Sequence, residues 1–155
     1  MNLSSEELYA LLVPLSEMRL LVPRSCVAEV IPWQLPNQLD NVPQWCLGSV
    51  IWNDQTVPVI SFEHMCGKSA PISALRTRIV ICVAITGQLR GRYFGLVAQG
   101  FPQLMRLGPD VVKTDPNQSA FDRQPVLCRV TLINEHPFIP DFERLEKMIS
   151  ENVAY

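Results

Sequence analysis

The sequence predicts a mainly β fold: many short strands arranged as two similar small barrels, with short helices and one helix at the C-terminus. Three observations carry this. The first is 13 prolines against 7 glycines in 155 residues, where average usage gives about eight and about eleven. Proline interrupts helices and central strands, so a compact chain this rich in it is cut into short elements. The second is Arg78–Thr86, where Ile79, Ile81, Val83 and Ile85 fall on one face and Val80, Cys82 and Ala84 on the other. A strand apolar on both faces is a central one shielded on both sides. The third is an internal echo. Val50-Ile51-Trp52-Asn53-Asp54 leads to Pro58, Ile60 and Phe62-Glu63, while Thr131-Leu132-Ile133-Asn134-Glu135 leads to Pro137, Ile139 and Phe142-Glu143. Coincidence is the competing reading of so short a match; a real repeat places two similar barrels side by side.

The elements follow in order. Leu8–Val13 reads as a strand, Pro14–Glu17 as a turn and Met18–Val22 as the return. Pro23 suits the first turn of a short helix over Arg24–Val30, with Val27, Val30 and Ile31 on one side. Pro32–Pro43 is a loop. Gly48–Trp52 and Thr56–Ser61 are strands joined at Asn53-Asp54, two residues that tolerate the positive φ of a tight hairpin. Pro58 lacks an amide hydrogen and belongs at a sheet edge or a non-bonded position. Glu63–Thr77 is irregular. Gly87–Gly91 turns the chain after the central strand, Tyr93–Ala98 returns, and Gln103–Leu107 is a further short strand. Gly108–Gln124 is a polar connection. Val126–Ile133 is a strand, Asn134-Glu135 a second turn and Phe138–Ile139 its return. Asp141 caps a last helix with Phe142, Leu145, Ile149 and Val153 on one face.

Composition narrows the function. There are 13 basic against 15 acidic residues, a net charge of -2. No general basic excess exists to hold a polyphosphate, so nucleic acid is not an expected partner. The polar, acidic start lacks the features of a signal peptide. The longest apolar runs, Leu8–Val13 and Ile79–Ile85, fall far short of the ~18 residues of a membrane span. A cytoplasmic protein with no direct membrane insertion is expected. Cys26, Cys46, Cys66, Cys82 and Cys128 are odd in number and form no Cys-x-x-Cys, so reduced thiols are expected rather than disulfides.

No catalytic set emerges. The chain has no phosphate-binding loop, no H-E-x-x-H and no G-x-S-x-G. His64 and Cys66 supply two metal-ligand types, but a structural zinc needs four; His136 has no cysteine near it. The short basic clusters Arg76-Thr77-Arg78 and Arg90-Gly91-Arg92 read as solvated turn charges, with an anion or acidic-partner site as the sharper alternative. No metal, no cofactor and no enzymatic activity are expected.

The stretch from Gly48 through Ile60 resembles the signature of the CheW family of chemotaxis adaptors, Gly-Val-Ile-Asn-Leu-Arg-Gly, three residues, Pro-Val-Ile. The ten-residue spacing from Gly48 to Pro58 is kept. Val27-Ala28-Glu29-Val30 matches the family's Val-x-Glu-Ile, and Pro43-Gln44-Trp45 its Pro-x-Phe lead-in. Arg78–Ala98 resembles the strand, turn and Gly-Leu-Val strand of its second half, and Phe138–Leu145 its closing segment. The resemblance covers about residues 7–150. It implies a single CheW-like domain over 1–155 with two intertwined five-stranded antiparallel, SH3-like barrels, roughly 18–85 and the remainder. It also implies a non-enzymatic adaptor that couples the cytoplasmic tip of a chemoreceptor to a CheA-type histidine kinase, recruited to membrane-associated arrays.

The chain departs from the family at the turn. Asn53 stands where the family has Arg, and Asp54 where it has Gly. That Arg could pair with the acid that is Glu29 here, and Asn53 cannot supply the charge. The departure points to a divergent adaptor, one tied to type IV pilus twitching rather than flagellar taxis. The expected partner surface is Val27, Glu29, Gly48, Asn53 and Asp54. The alternative is a barrel-type protein- or peptide-binding module outside chemosensory signalling. Oligomeric state is left open.

Overall fold

The computed structural model describes residues 8–114 and 124–155. The strands are β1 (Leu8–Pro14), β2 (Arg19–Pro23), β3 (Val27–Pro32), β4 (Cys46–Trp52), β5 (Gln55–Ile60), β6 (Arg78–Val83), β7 (Tyr93–Ala98), β8 (Gln103–Leu107), β9 (Val112–Thr114), β10 (Val126–Leu132) and β11 (Phe138–Pro140). The helices are α1 (Phe62–Met65) and α2 (Phe142–Asn152). The fold is mainly β, as expected, but the sheets hold five strands (β3-β6-β7-β5-β4) and six (β8-β1-β2-β11-β10-β9) instead of five and five. They are also mixed: β5 runs parallel to β7, and β11 parallel to β2. The extra strand, β9, lies in the Gly108–Gln124 stretch read as a connection; residues 115–123 of that stretch lie outside the described residues.

Side-chain alternation along β6 and β7 explains how the sheets share a core. Ile79, Ile81 and Val97 point into the first barrel with Val50, Val57 and Val59. Val80, Cys82, Phe94, Leu96 and Ala98 point the other way, into a larger cluster with Val13, Leu20 and Val22 of the second sheet and Phe142, Leu145 and Ile149 of α2. Ala10, Leu12, Leu21, Leu107, Val130 and Leu132 fill the second barrel. Strand β6 is therefore central, as its two apolar faces require, although it ends at Val83 rather than Thr86.

The helix expected over Arg24–Val30 is not one. Only a 3-10 turn, Arg24–Cys26, follows Pro23, and Val27–Pro32 is strand. A β-bulge between Val27 and Glu29 breaks the two-residue alternation and mimics helical spacing. Pro58 lies in an inner strand, opposite Ser49. The N–H and C=O of Ser49 both bond Asn37, on the side away from β5. The Ser49–Pro58 pair is thus non-hydrogen-bonded, so the missing amide hydrogen takes nothing from the β4–β5 ladder.

The internal echo is structural and regular at 80 residues. The bulge at Cys46/Gly48 against Ile60 and Val59 recurs at Val126/Cys128 against Pro140 and Ile139. The turn closed by Trp52 and Gln55 recurs between Leu132 and Glu135. The helix caps Ser61 and Asp141 each accept from the backbone N–H three residues on. The second turn is therefore centred on Ile133-Asn134, one residue earlier than the sequence motif indicates, and Ile133 is the counterpart of Asn53.

Candidate functional site

The β4–β5 hairpin turns through Asn53 (φ 48°) and Asp54 (φ 61°), the left-handed pair of a tight hairpin and an environment these residue types tolerate. Both side chains are exposed. Just before the turn, the half-buried Trp52 donates its indole N–H to the Glu29 carboxylate. Strands β3 and β4 are opposite edges of the five-stranded sheet, so this bond crosses the seam where the curled sheet closes. Tyr93 of β7 packs edge-on against Trp52, with ring centroids 4.9 Å apart. Glu29, Trp52, Asn53 and Asp54 thus come together at one end of the first barrel.

The other two expected residues lie apart. Val27 is half-buried and packs on the shared core. Gly48 is buried, with φ 128°, and a Cβ there would stand 2.1 Å from the Asn37 carbonyl oxygen. This glycine lets the 33–45 loop bridge onto β4 through Asn37 and Ser49. The same alternation that turns Ser49 outward places the N–H and C=O of Ile51 on the free edge of β4, and the Ile51 side chain is 59% exposed.

A second surface runs between the barrels. A cavity of about 320 Å³ is walled by Val22, Cys26, Ile85, Leu127, Ile139 and Phe142, with Ile85 and Leu127 exposed on its rims. Two fully buried carboxylates tie loops to the two helices, and hydropathy gave no sign of either. Glu146 of α2 accepts from Ile85 N–H (3.1 Å), Thr86 N–H (3.0 Å) and Thr86 Oγ1 (2.8 Å), clamping the β6–β7 loop to the C-terminal helix. Glu63 of α1 accepts from Ser16 N–H (3.3 Å) in the β1–β2 turn and from Gln99 Nε2 (3.1 Å) after β7. Burial pushes the Glu63 carboxyl above its ordinary range, and these bonds offset only part of the rise.

Among the described residues, no three metal-ligating side chains cluster, and no helix is long and apolar enough to cross a membrane. The five cysteines are free thiols. Burial pushes Cys66 up to about 11 and raises Cys82 further, so neither is a ready nucleophile.

The comparisons with known proteins agree with this architecture. The CheW-like domain model matches residues 9–148. Among solved structures, the scaffolding protein TtCheW from Thermoanaerobacter tengcongensis superposes with a TM-score of 0.71 at 16% identity, over 86% of this chain and 88% of that one. A search of curated proteins returns no match. With its two fused barrels, its shared core and a domain match that spans nearly all of its length, the chain belongs to the CheW-like domain family, a family of chemotaxis scaffolds.

Proposed function

We propose that this chain is a non-enzymatic adaptor that couples the cytoplasmic tip of a chemoreceptor to a CheA-type histidine kinase, in a chemosensory system serving type IV pilus twitching motility. Its place of action is the cytoplasmic face of a membrane-associated receptor array. The observation that carries the reading is the end of the first barrel. There Glu29, bonded by the Trp52 indole, stands beside the exposed Asn53-Asp54 turn. A rigid barrel end with exposed turn residues is a common place for partner specificity. The neutral indole leaves the carboxylate charge uncancelled, where the family's arginine would neutralise it. That difference supports a receptor or kinase other than the conventional flagellar one. Val27 and Gly48 act on this proposed surface only indirectly, through the strands they shape. Isothermal titration of the wild type, Asn53→Ala and Asn53→Arg against a purified receptor tip and a kinase regulatory domain tests this. The expected result is weaker binding by Asn53→Ala and a shift of Asn53→Arg toward a conventional receptor. If both variants bind every partner as the wild type does, the assignment of this surface fails.

A further inference from the structure

Two reciprocal clasps join the halves of the molecule. The sheets share one strand order, β3-β6-β7-β5-β4 against β8-β1-β2-β11-β10, and the parallel contact of β5 with β7 is repeated by β11 with β2. The β1–β2 turn is therefore the counterpart of the β6–β7 loop, and α1 the counterpart of α2. Each helix holds the turn that belongs to the other half. Glu146 of α2 holds the β6–β7 loop through three donors, and Glu63 of α1 holds the β1–β2 turn through Ser16 N–H. The two acids are not copies of each other. At the 80-residue offset Glu63 corresponds to Glu143, which is exposed, and Glu146 corresponds to Cys66.

The Glu63 clasp is the less well satisfied. Its bond from Ser16 N–H is long, at 3.3 Å, and its other oxygen accepts only from the neutral Gln99 amide. Among the described residues, no salt bridge reaches it. The titratable groups that face it are Glu17 of the turn, which opposes its charge, His64 of α1, which favours it, and Cys66, an uncharged thiol below about 11. Lys68, whose backbone N–H bonds the Glu63 carbonyl, is engaged by Glu17 at 3.3 Å. A charged carboxylate so buried gains by reaching water, and a protonated one does not. We propose that Glu63 is a proton-operated clasp on the β1–β2 turn, closed when its carboxyl is protonated and loosened when it is charged. Gln99 N–H to Pro14 C=O at 2.8 Å and Leu15 N–H to Met18 C=O at 2.9 Å keep the base of the turn fixed, so the tip, Ser16 and Glu17, is what moves. That tip is one wall of a cavity of about 360 Å³ shared with Arg19, Arg129, Glu135 and His136, and its release reshapes that end of the second barrel. Burial holds the carboxyl above 4.5 in the closed state, and water returns it to the ordinary value in the open one. Opening therefore becomes easier as pH rises between these values and levels off above them. The proposal is independent of the adaptor reading.

Amide hydrogen exchange, read residue by residue by NMR from acidic pH to neutrality and corrected for the intrinsic pH dependence of exchange, tests it on the wild type, Glu63→Gln and His64→Gln. The wild type is expected to lose protection at Ser16 as pH rises, while Leu96 in the shared core stays far better protected throughout. Glu63→Gln is neutral at every pH and still accepts a hydrogen bond, so its Ser16 protection should stay level. His64→Gln should keep the wild-type fall, which assigns it to the carboxyl and not to the neighbouring imidazole. In the wild type itself, the Glu63 carboxyl carbon should titrate over the same pH range in which Ser16 loses protection, a check that needs no variant to fold. Ser16 protection in the wild type that stays level or rises with pH, or that equals that of Leu96, would overturn the proposal. So would a fall that persists in Glu63→Gln or vanishes in His64→Gln, or a carboxyl that titrates over a different range.

Discussion

The indole of Trp52 donates to the carboxylate of Glu29 across the seam of the first barrel, joining edge strands that share no backbone ladder. The pair is partly exposed, so its contribution to stability is small, under ~1 kcal/mol. Trp52→Phe keeps a ring against Tyr93 and removes the donor. Thermal melting should be nearly unchanged, and titration against the receptor tip should show altered affinity because Glu29 is released. A large drop in melting temperature would mean that the seam depends on this bond.

Gly48→Ala should behave in the opposite way. The added Cβ meets the Asn37 carbonyl oxygen, and the backbone is left-handed at that point. Strain together with loss of the Asn37–Ser49 bridge should cost about 2 to 4 kcal/mol. Chemical denaturation measures this directly, and a cost under ~0.5 kcal/mol, the scale of an ordinary surface substitution, would show that the loop yields easily.

Glu63 makes stability depend on pH with a defined sign. Its folded-state value lies above 4.5, so folding takes up a proton between 4.5 and the raised value. The stabilising contribution is full below 4.5 and is lost as pH rises through the folded-state value. Glu63→Gln is permanently neutral and lacks this dependence. The melting temperature of the wild type minus that of the variant should therefore grow as pH falls from neutrality toward 4.5. Parallel pH profiles would refute this assignment.

Removal of the Glu146 carboxylate strands three donors at once. Glu146→Ala leaves Ile85 N–H, Thr86 N–H and the Thr86 hydroxyl without their acceptor, at a cost of about 1 to 3 kcal/mol, because these donors sit on exposed residues and can turn to water once the charge-assisted bonds are lost. The damage should be local at first. Amide exchange at Ile85 and Thr86 should accelerate well before that of Val80 or Leu96 in the shared core. Uniform acceleration would instead mean that the clamp acts on the whole fold.

Legibility in the sequence followed the physics of each element. Strands with unbroken alternation, such as β6, and turns with dedicated chemistry, such as Asn53-Asp54, were read correctly. The errors came where one regularity imitated another. The bulge at Val27 and Glu29 reproduced the spacing of a helix face, and the echo was aligned on Asn134 although the turn aligns Ile133 with Asn53. Of the expected surface, Glu29, Asn53 and Asp54 stand together, but Trp52, which binds Glu29, was read only as an apolar strand residue. Glu63 and Glu146 were missed because a carboxylate on a buried face is invisible to hydropathy. Glu146 left one trace, standing between Leu145 and Ile149 on the apolar side of α2.

The interleaving of the two sheets sets an order of events during synthesis. The five-stranded sheet is contiguous, residues 27–98, and can pair as it leaves the ribosome. The six-stranded sheet is not: β2 finds its parallel neighbour only when Phe138 emerges to face Leu20. Until then the β1–β2 hairpin waits with an unpaired edge while the residues between Leu20 and Phe138 are translated. Domains generally fold N-terminal first, and long-range pairings close slowly. Here the topology favours a different order: the contiguous 27–98 sheet can mature first, and the strands on either side of it complete the six-stranded sheet afterwards.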